Sequence, residues 1–282
     1  MDSLSTVILA SALIVIMLGM GLSLRTSDFK RIIFNPKPII IGLINQLILL
    51  PLIGLGVTFL FPMNPEVAIG IMILAACPGG PTSNLITHLA KGDLALSVTL
   101  TAFSSLITIL TIPFIVNFAL ETFLDATQLI QLNILQTVLQ ICVVVVIPVV
   151  VGMAIRRNRP LFAERMAKPV KIASGVVLAL IIVALVIKEH ANFIPYFKQA
   201  GIATLVLNIA TMGVGFFSAK LFHIEKKQAV SISVESGIQN GTLAITIAVV
   251  LLNNTAYAIA PAVYSLLMFL TGGVIIYWAN RR

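Results

Sequence analysis

Glu235 is the residue whose chemistry stands out first. The chain has 282 residues and ten acidic ones. Nine of these (Asp2, Asp28, Glu66, Asp93, Glu121, Asp125, Glu164, Glu189 and Glu225) fall at turns or at the ends of apolar stretches. Glu235 alone lies inside such a stretch, and the next 45 residues carry no charge. An ionised carboxylate in hydrocarbon costs roughly 2.5–3.5 kcal/mol on insertion scales, so it needs compensation. No Lys or Arg lies in a neighbouring apolar stretch near enough in sequence to supply it. Two remedies remain, a proton or a bound cation.

A cation would need further oxygen ligands, and the sequence offers them in other apolar stretches. They are Gln46, Ser83 and Asn84, Ser97 and Thr101, and Gln239. Ser97 and Thr101 are four residues apart and share one helix face. The competing reading is that each hydroxyl bonds only its own helix backbone.

Two stretches are interrupted near their middles. Residues 77–84 read Cys-Pro-Gly-Gly-Pro-Thr-Ser-Asn, and residues 235–242 read Glu-Ser-Gly-Ile-Gln-Asn-Gly-Thr. Paired prolines and glycines remove hydrogen-bond donors and relax the backbone, so a continuous helix is not expected at the first. Gly79 and Gly80 suit the end of one half-helix and Pro81 the first turn of the next. Carbonyls freed by the second break, at Ser236 and Ile238, would add ligands. Unwound backbone at membrane depth is tolerated only inside protein or beside a wet cavity. A pair of such breaks points to the binding site of a secondary transporter, against the plainer reading of two kinks.

The rest of the chain explains why these residues count as intramembrane. It is 59% hydrophobic and 10% charged, with a mean hydropathy of +1.08. A soluble domain carries about 25% charged residues, which sets aside an ordinary cytosolic enzyme, a disordered chain and a nucleic-acid binder, despite a pI near 9.8. Cys77 and Cys142 sit in apolar runs and suggest neither a disulfide framework nor a metal cluster.

A crossing helix takes roughly 20 residues. Nine stretches reach that scale, near 4–24, 37–60, 67–90, 94–118, 127–155, 170–187, 199–221, 228–252 and 256–279. They are too long and too uniformly apolar for barrel strands of ~10 residues. The first lacks the basic leader of a cleaved signal peptide. The expectation is one all-α integral membrane unit over 1–282 with no soluble domain, its longest polar connection near 156–169. With nine crossings, sixteen of the eighteen basic residues fall on one side and only Lys188 and Lys198 on the other. That places the N-terminus outside and the C-terminus in the cytoplasm.

Four blocks carry a resemblance. They are GMGLSLRTSDFKRI at 19–32, GLINQLILLP at 42–51, ACPGGPTSNLITHLAKGDLALSVTLTAFSSLIT at 76–108 and VESGIQNGTLA at 234–244. Together they resemble the bile acid:sodium symporter family over nearly the whole chain. The resemblance implies an inverted-repeat fold with panel and core subdomains, whose two broken helices cross at the midplane. It also implies two sodium sites. Carried over by position, one uses Ser83, Asn84, Ser97, Thr101 and Glu235. The other uses Gln46, Glu235 and Gln239 with backbone oxygens around Ser236 and Ile238.

Two features depart from common members. Prokaryotic relatives often have ten crossings, and this chain begins where their second would be. Met268 and Phe269 also stand where relatives often place a cavity-facing His-Asn pair, which weakens the case for a bile-acid-like cargo.

The expected function is sodium-coupled symport of a small organic anion by alternating access, in a plasma (bacterial inner) membrane, with membrane lipid as a partner and no nucleic acid. Half-helices restarting at Pro81-Thr82 and at Asn240-Gly241-Thr242 would point free N–H groups and positive dipole ends at a carboxylate. Asn240 leads the substrate candidates, as a cap, a ligand or both. Thr82, Thr242, Pro81 and Gly241 follow. The rival is a proton-coupled or exporting carrier of the same fold. An intramembrane enzyme using Ser83, His88 or Glu235, or a scaffold without transport, is the remote alternative.

Overall fold

The computed structural model describes residues 3–125 and 133–281. Positions 127–132 of the fifth apolar stretch, Asp2, Arg282 and the side chains of Lys30, Arg31, Lys168 and Lys171 lie outside the described residues. Among the described residues every element is helical, save one isolated bridge. In chain order they are α1 (Ser3–Ser23), α2 (Thr26–Phe34), α3 (Pro36–Leu60), α4 (Pro65–Ala76), α5 (Pro81–Leu89) and α6 (Leu94–Phe123). Then come α7 (Ile134–Asn158), α8 (Pro160–Lys188), α9 (His190–Leu221), α10 (Lys226–Gly237), α11 (Gly241–Leu251) and α12 (Ala256–Asn280).

Five helices are long and apolar enough to cross a membrane: α3, α6, α7, α9 from Ile194, and α12. Leu9–Ser23 and α2 would add a sixth if taken as one span bent by 76°. Of the remaining apolar stretches, 4–24 and 170–187 correspond to the continuous helices α1 and α8, and the other two are interrupted. These are the broken pairs α4–α5 and α10–α11, and their first halves and α11 are almost wholly buried. Protein surrounds the interrupted backbone, as its unpaired polar groups require.

Three connections between apolar stretches are helical. Residues 26–34 form a helix rather than a loop, begun by Asp28, whose carboxylate accepts from Arg25 N at 2.7 Å. The polar segment 156–169 is mostly helical, because Pro160 opens α8 in its first turn and Ala, Leu, Met and Lys sustain it. Arg159 alone separates α7 from α8. Lys198 likewise stands within α9, which begins at His190, nine residues before the apolar stretch does.

Two of the long helices widen into π turns, Asn45–Leu49 in α3 and Cys142–Val146 in α7. Each precedes a proline, Pro51 or Pro148, that cannot donate to the helix ladder and crowds the turn before it. In α3 the wider turn brings the adjacent Asn45 and Gln46 both inward, 3% and 4% exposed.

The helices sort into two groups. α1, α7 and α8 pack on one another, and α2 to α6 pack with α9 to α12. α1 meets the second group mainly along α11. Inside the smaller group α1 crosses α7 backbone to backbone. A Cβ on Gly152 would lie 2.8 Å from both Gly21 Cα and Leu22 N, so only glycine permits the approach. Gly152→Ala should therefore destabilise the protein by about 1–3 kcal/mol in thermal melts. Gly175→Ala, with open space at its Cβ, should be neutral or slightly stabilising.

Candidate cation site

The two breaks meet. Residues 77–80 connect α4 to α5 and residues 238–240 connect α10 to α11, and the two linkers pair as a single antiparallel bridge between Gly79 and Gln239. Asn240 N donates to Pro78 O at 2.9 Å. Each linker thus gives the other the backbone partner that its own helix lacks.

Glu235, 2% exposed, lies in the last turn of α10 beside this crossing. Its carboxylate is ringed by hydroxyls from two other helices. Oε1 accepts from Ser83 Oγ of α5 at 2.6 Å and from Ser97 Oγ of α6. Oε2 accepts from Thr101 Oγ1 at 3.0 Å. Asn84 Oδ1 lies 2.8 Å from Ser97 Oγ and 3.4 Å from Thr101 Oγ1. Ser83 Oγ also reaches Gly80 O at 2.7 Å, and Thr101 Oγ1 reaches Ser97 O at 3.0 Å.

The proton count is decisive here. Three hydroxyls supply three protons, while five acceptor oxygens converge on them: both of Glu235, Asn84 Oδ1, Gly80 O and Ser97 O. Hydroxyl oxygens have lone pairs to spare, so the cluster is rich in oxygen and short of hydrogen. Hard cations bind such oxygen sets. Among the described residues no three His, Cys, Asp or Glu side chains gather, so the sulfur- and imidazole-rich ligand sets of transition metals have no counterpart there.

A second polar group adjoins the first. Gln46 Nε2 donates to Gln239 Oε1 at 2.7 Å and to Cys77 O at 3.1 Å. Gln239 Nε2 turns back to Ser236 O at 2.9 Å and Glu235 O at 3.3 Å. Gln46 Oε1 is buried without a protein partner, an acceptor that a cation would satisfy. Ser236 Oγ bonds Ile232 O at 2.7 Å, so only its carbonyl is offered here. The structure therefore brings together Ser83, Asn84, Ser97, Thr101 and Glu235 as one cluster, and Gln46, Gln239 and the Ser236 backbone as its neighbour. Ile238 is fully buried within the linker.

Asn240 caps α11, its Oδ1 accepting from Leu243 N at 3.1 Å. Its Nδ2 is buried with no protein partner, a donor suited to an anionic oxygen. Cap and ligand are thus compatible roles. Gly241 packs so closely on Ser265 that a Cβ would strike the serine Oγ. Pro81 and Thr82, in the first turn of α5, are half-buried, and Thr242 is 6% exposed. Met268 is buried and Phe269 half exposed, so one apolar side chain and not a polar pair turns inward there. His88 is exposed at the C-terminal end of α5, while Ser83 is buried and committed to Glu235.

Sequence reasoning missed three buried residues near the crossing. Asn45 Nδ2 donates to Ile41 O and to Ser218 Oγ at 2.9 Å, and its Oδ1 has no partner. Asn208 and Tyr264 both donate to Gly237 O. Asn45 was signalled by its place beside Gln46 ahead of Pro51, but the other two stand far from any motif. A separate cavity of ≈ 200 Å³ lies where the two helix groups face each other, lined by α1, α2, α6 and α7. It is apolar except for Ser105, whose hydroxyl is buried and unpaired.

A family model described as the Sodium Bile acid symporter family matches residues 10–195. The chain is 30% identical over 276 residues to the uncharacterized sodium-dependent transporter YocS of Bacillus subtilis (strain 168), covering 95% of this chain and 81% of that one. It is 30% identical over 270 residues to the probable sodium/metabolite cotransporter BASS2, chloroplastic, of Oryza sativa subsp. japonica, covering 94% and 62%. Identity to the ileal sodium/bile acid cotransporter of Oryctolagus cuniculus is 31% over 245 residues, covering 86% and 69%.

Removing the Asn240 cap should cost about 1 kcal/mol of stability. Asn240→Ala should therefore lower the melting temperature, and Asn240→Ser, which keeps an accepting cap oxygen without adding a buried charge, should restore most of it.

Proposed function

The chain belongs to the sodium bile acid symporter family, and from that premise we propose that it couples sodium entry to uptake of a small carboxylate. The oxygen-rich, proton-poor cluster around Glu235 carries this reading. Sodium held by Ser83, Asn84, Ser97, Thr101 and Glu235 offsets the buried negative charge. A second ion held by Gln46, Glu235 and Gln239 with backbone oxygens around Ser236 and Ile238 ties the same break to α3. Both ions lie against linkers that pair with each other, so binding draws the two broken helices into one arrangement.

That arrangement completes a place for the anion. The N-terminal ends of α5 and α11 carry partial positive charge, and Asn240 Nδ2 provides a buried donor without a protein acceptor. A carboxylate satisfies it, with Thr82 and Thr242 beside it and Pro81 and Gly241 shaping the backbone. The buried Met268 favours a compact cargo over a large polar conjugate.

In this proposal the chain crosses the membrane nine times, each broken pair counting once, with its N-terminus outside and its C-terminus in the cytoplasm. The group α1, α7 and α8 serves as the panel and the remaining helices as the core. Rocking of one against the other exposes the crossing to each side in turn. Two sodium ions and a monoanion move one net positive charge, and each charge gains roughly 2.3 kcal/mol per 100 mV.

Sodium should raise the melting temperature of the purified protein in a saturable way, with choline as the ionic-strength control. Glu235→Ala should abolish the effect; full sodium dependence in that variant would overturn the ligand assignment. In proteoliposomes, uptake from a panel of small radiolabelled acids should require sodium and rise with an inside-negative potential. Flux indifferent to both would contradict symport.

A further inference from the structure

The last carbonyls of a helix have no donors within it, and at the end of α10 each is handled differently. Val234 O accepts from Ile238 N at 2.8 Å, closing the final turn. Glu235 O and Ser236 O share the single amide of Gln239. Gly237 O receives two donors from outside the break, Asn208 Nδ2 of α9 at 2.6 Å and Tyr264 OH of α12 at 2.6 Å. Asn208 Nδ2 also lies 3.1 Å from Tyr264 OH, so the three groups form a closed triangle.

This triangle is built into the packing. Asn208 and Tyr264 are both fully buried. α9 approaches α10 flush at two glycines. A Cβ on Gly215 would come within 2.7 Å of Ser236 Oγ, and one on Gly237 would run into the Met212 side chain. Ser233 Oγ adds a bond to Met212 O at 2.7 Å. Asn208 leaves its own Oδ1 buried and unpaired, a penalty accepted so that both Nδ2 hydrogens can be aimed.

We infer that Asn208 and Tyr264 are positioning residues for cation binding. With both lone pairs of Gly237 O engaged, that carbonyl is withdrawn from the ion's ligand set. The peptide plane between Gly237 and Ile238 is fixed with it. That plane sets the course of the extended linker, in which Ile238 has φ −105° and ψ 97°. The carbonyls of Ser236 and Ile238 belong to the peptide groups on either side of it, so fixing this plane constrains how both are presented to the crossing. Neither Asn208 nor Tyr264 touches the ion, but both decide which oxygens do. The inference rests on the symport reading, because it assigns an action upon the second cation site.

Tyr264→Phe keeps the ring and removes one donor; Asn208→Ala removes the other. Direct binding of radioactive sodium to detergent-purified protein should show a half-saturating concentration raised about 10- to 100-fold in either variant, the range seen when residues supporting metal ligands are lost. The preference for sodium over lithium should shift as well. A purely structural role would lower the melting temperature in sodium-free buffer and leave both readouts unchanged, and that result would overturn the inference. Should Tyr264→Phe fail to fold, Asn208→Ala carries the same expectation and the same refutation. A wild type that binds sodium, with variants that bind it at the same concentration and with the same preference, refutes the positioning role alone. A wild type that binds no sodium refutes the symport reading and this inference with it.

Discussion

A carboxylate sealed inside a hydrophobic protein is the constraint on which the other features depend. Among the described residues Glu235 has oxygens, and no basic side chain, as hydrogen-bond partners. Three hydroxyls soften its desolvation, but they come from residues whose oxygens also face Asn84 Oδ1 and two backbone carbonyls. Such a cluster is electrically unfinished without a positive charge. The same constraint explains why α4, α10 and α11 are the most enclosed helices. Linkers with exposed peptide groups survive in an apolar setting only when they pair with one another and are walled off.

The division of the helices gives that centre a route to function. The crossing belongs wholly to the larger group, while α1, α7 and α8 contribute mainly apolar surface. Where the groups face each other they enclose an apolar cavity and touch along α11 and between α6 and α7. At the junction of α8 and α9, Glu189 accepts from Thr255 Oγ1 in the segment after α11. Sparse, mostly apolar contacts suit two bodies that change their relative orientation, whereas the hydrogen-bonded crossing suits a body that moves as one. In the proposed cycle, ions set the shape within the larger body, and its partner determines which side of the membrane that shape faces.

Much of this was legible in the residues themselves. The breaks at 77–80 and 238–240 follow from proline and glycine chemistry, and Pro81 stands in the first turn of α5 as its missing N–H requires. The i, i+4 spacing of Ser97 and Thr101 put both hydroxyls on one face, and Glu235 was conspicuous as a lone charge. Less could be read where tertiary packing overrules pattern. The amphipathic α2 and the helical course of 160–169 were hidden because charge clusters look like loops, although Lys and Arg are good helix formers. Asn208 and Tyr264 escaped for another reason. A single polar residue in an apolar helix gives no sign of the distant carbonyl it serves, and both reach Gly237 only across a helix–helix contact set by Gly215 and Gly237.

The most direct test of the central claim is electrical. Protein reconstituted on a solid-supported membrane is exposed to a sodium jump at constant ionic strength and pH, with no cargo present. A cation entering the buried oxygen cluster around Glu235 moves charge into the protein, so a transient, saturable inward current is the predicted result. Silence on the sodium jump, together with a current on an acidic pH jump, would mean that a proton and not sodium balances Glu235, and would contradict the account.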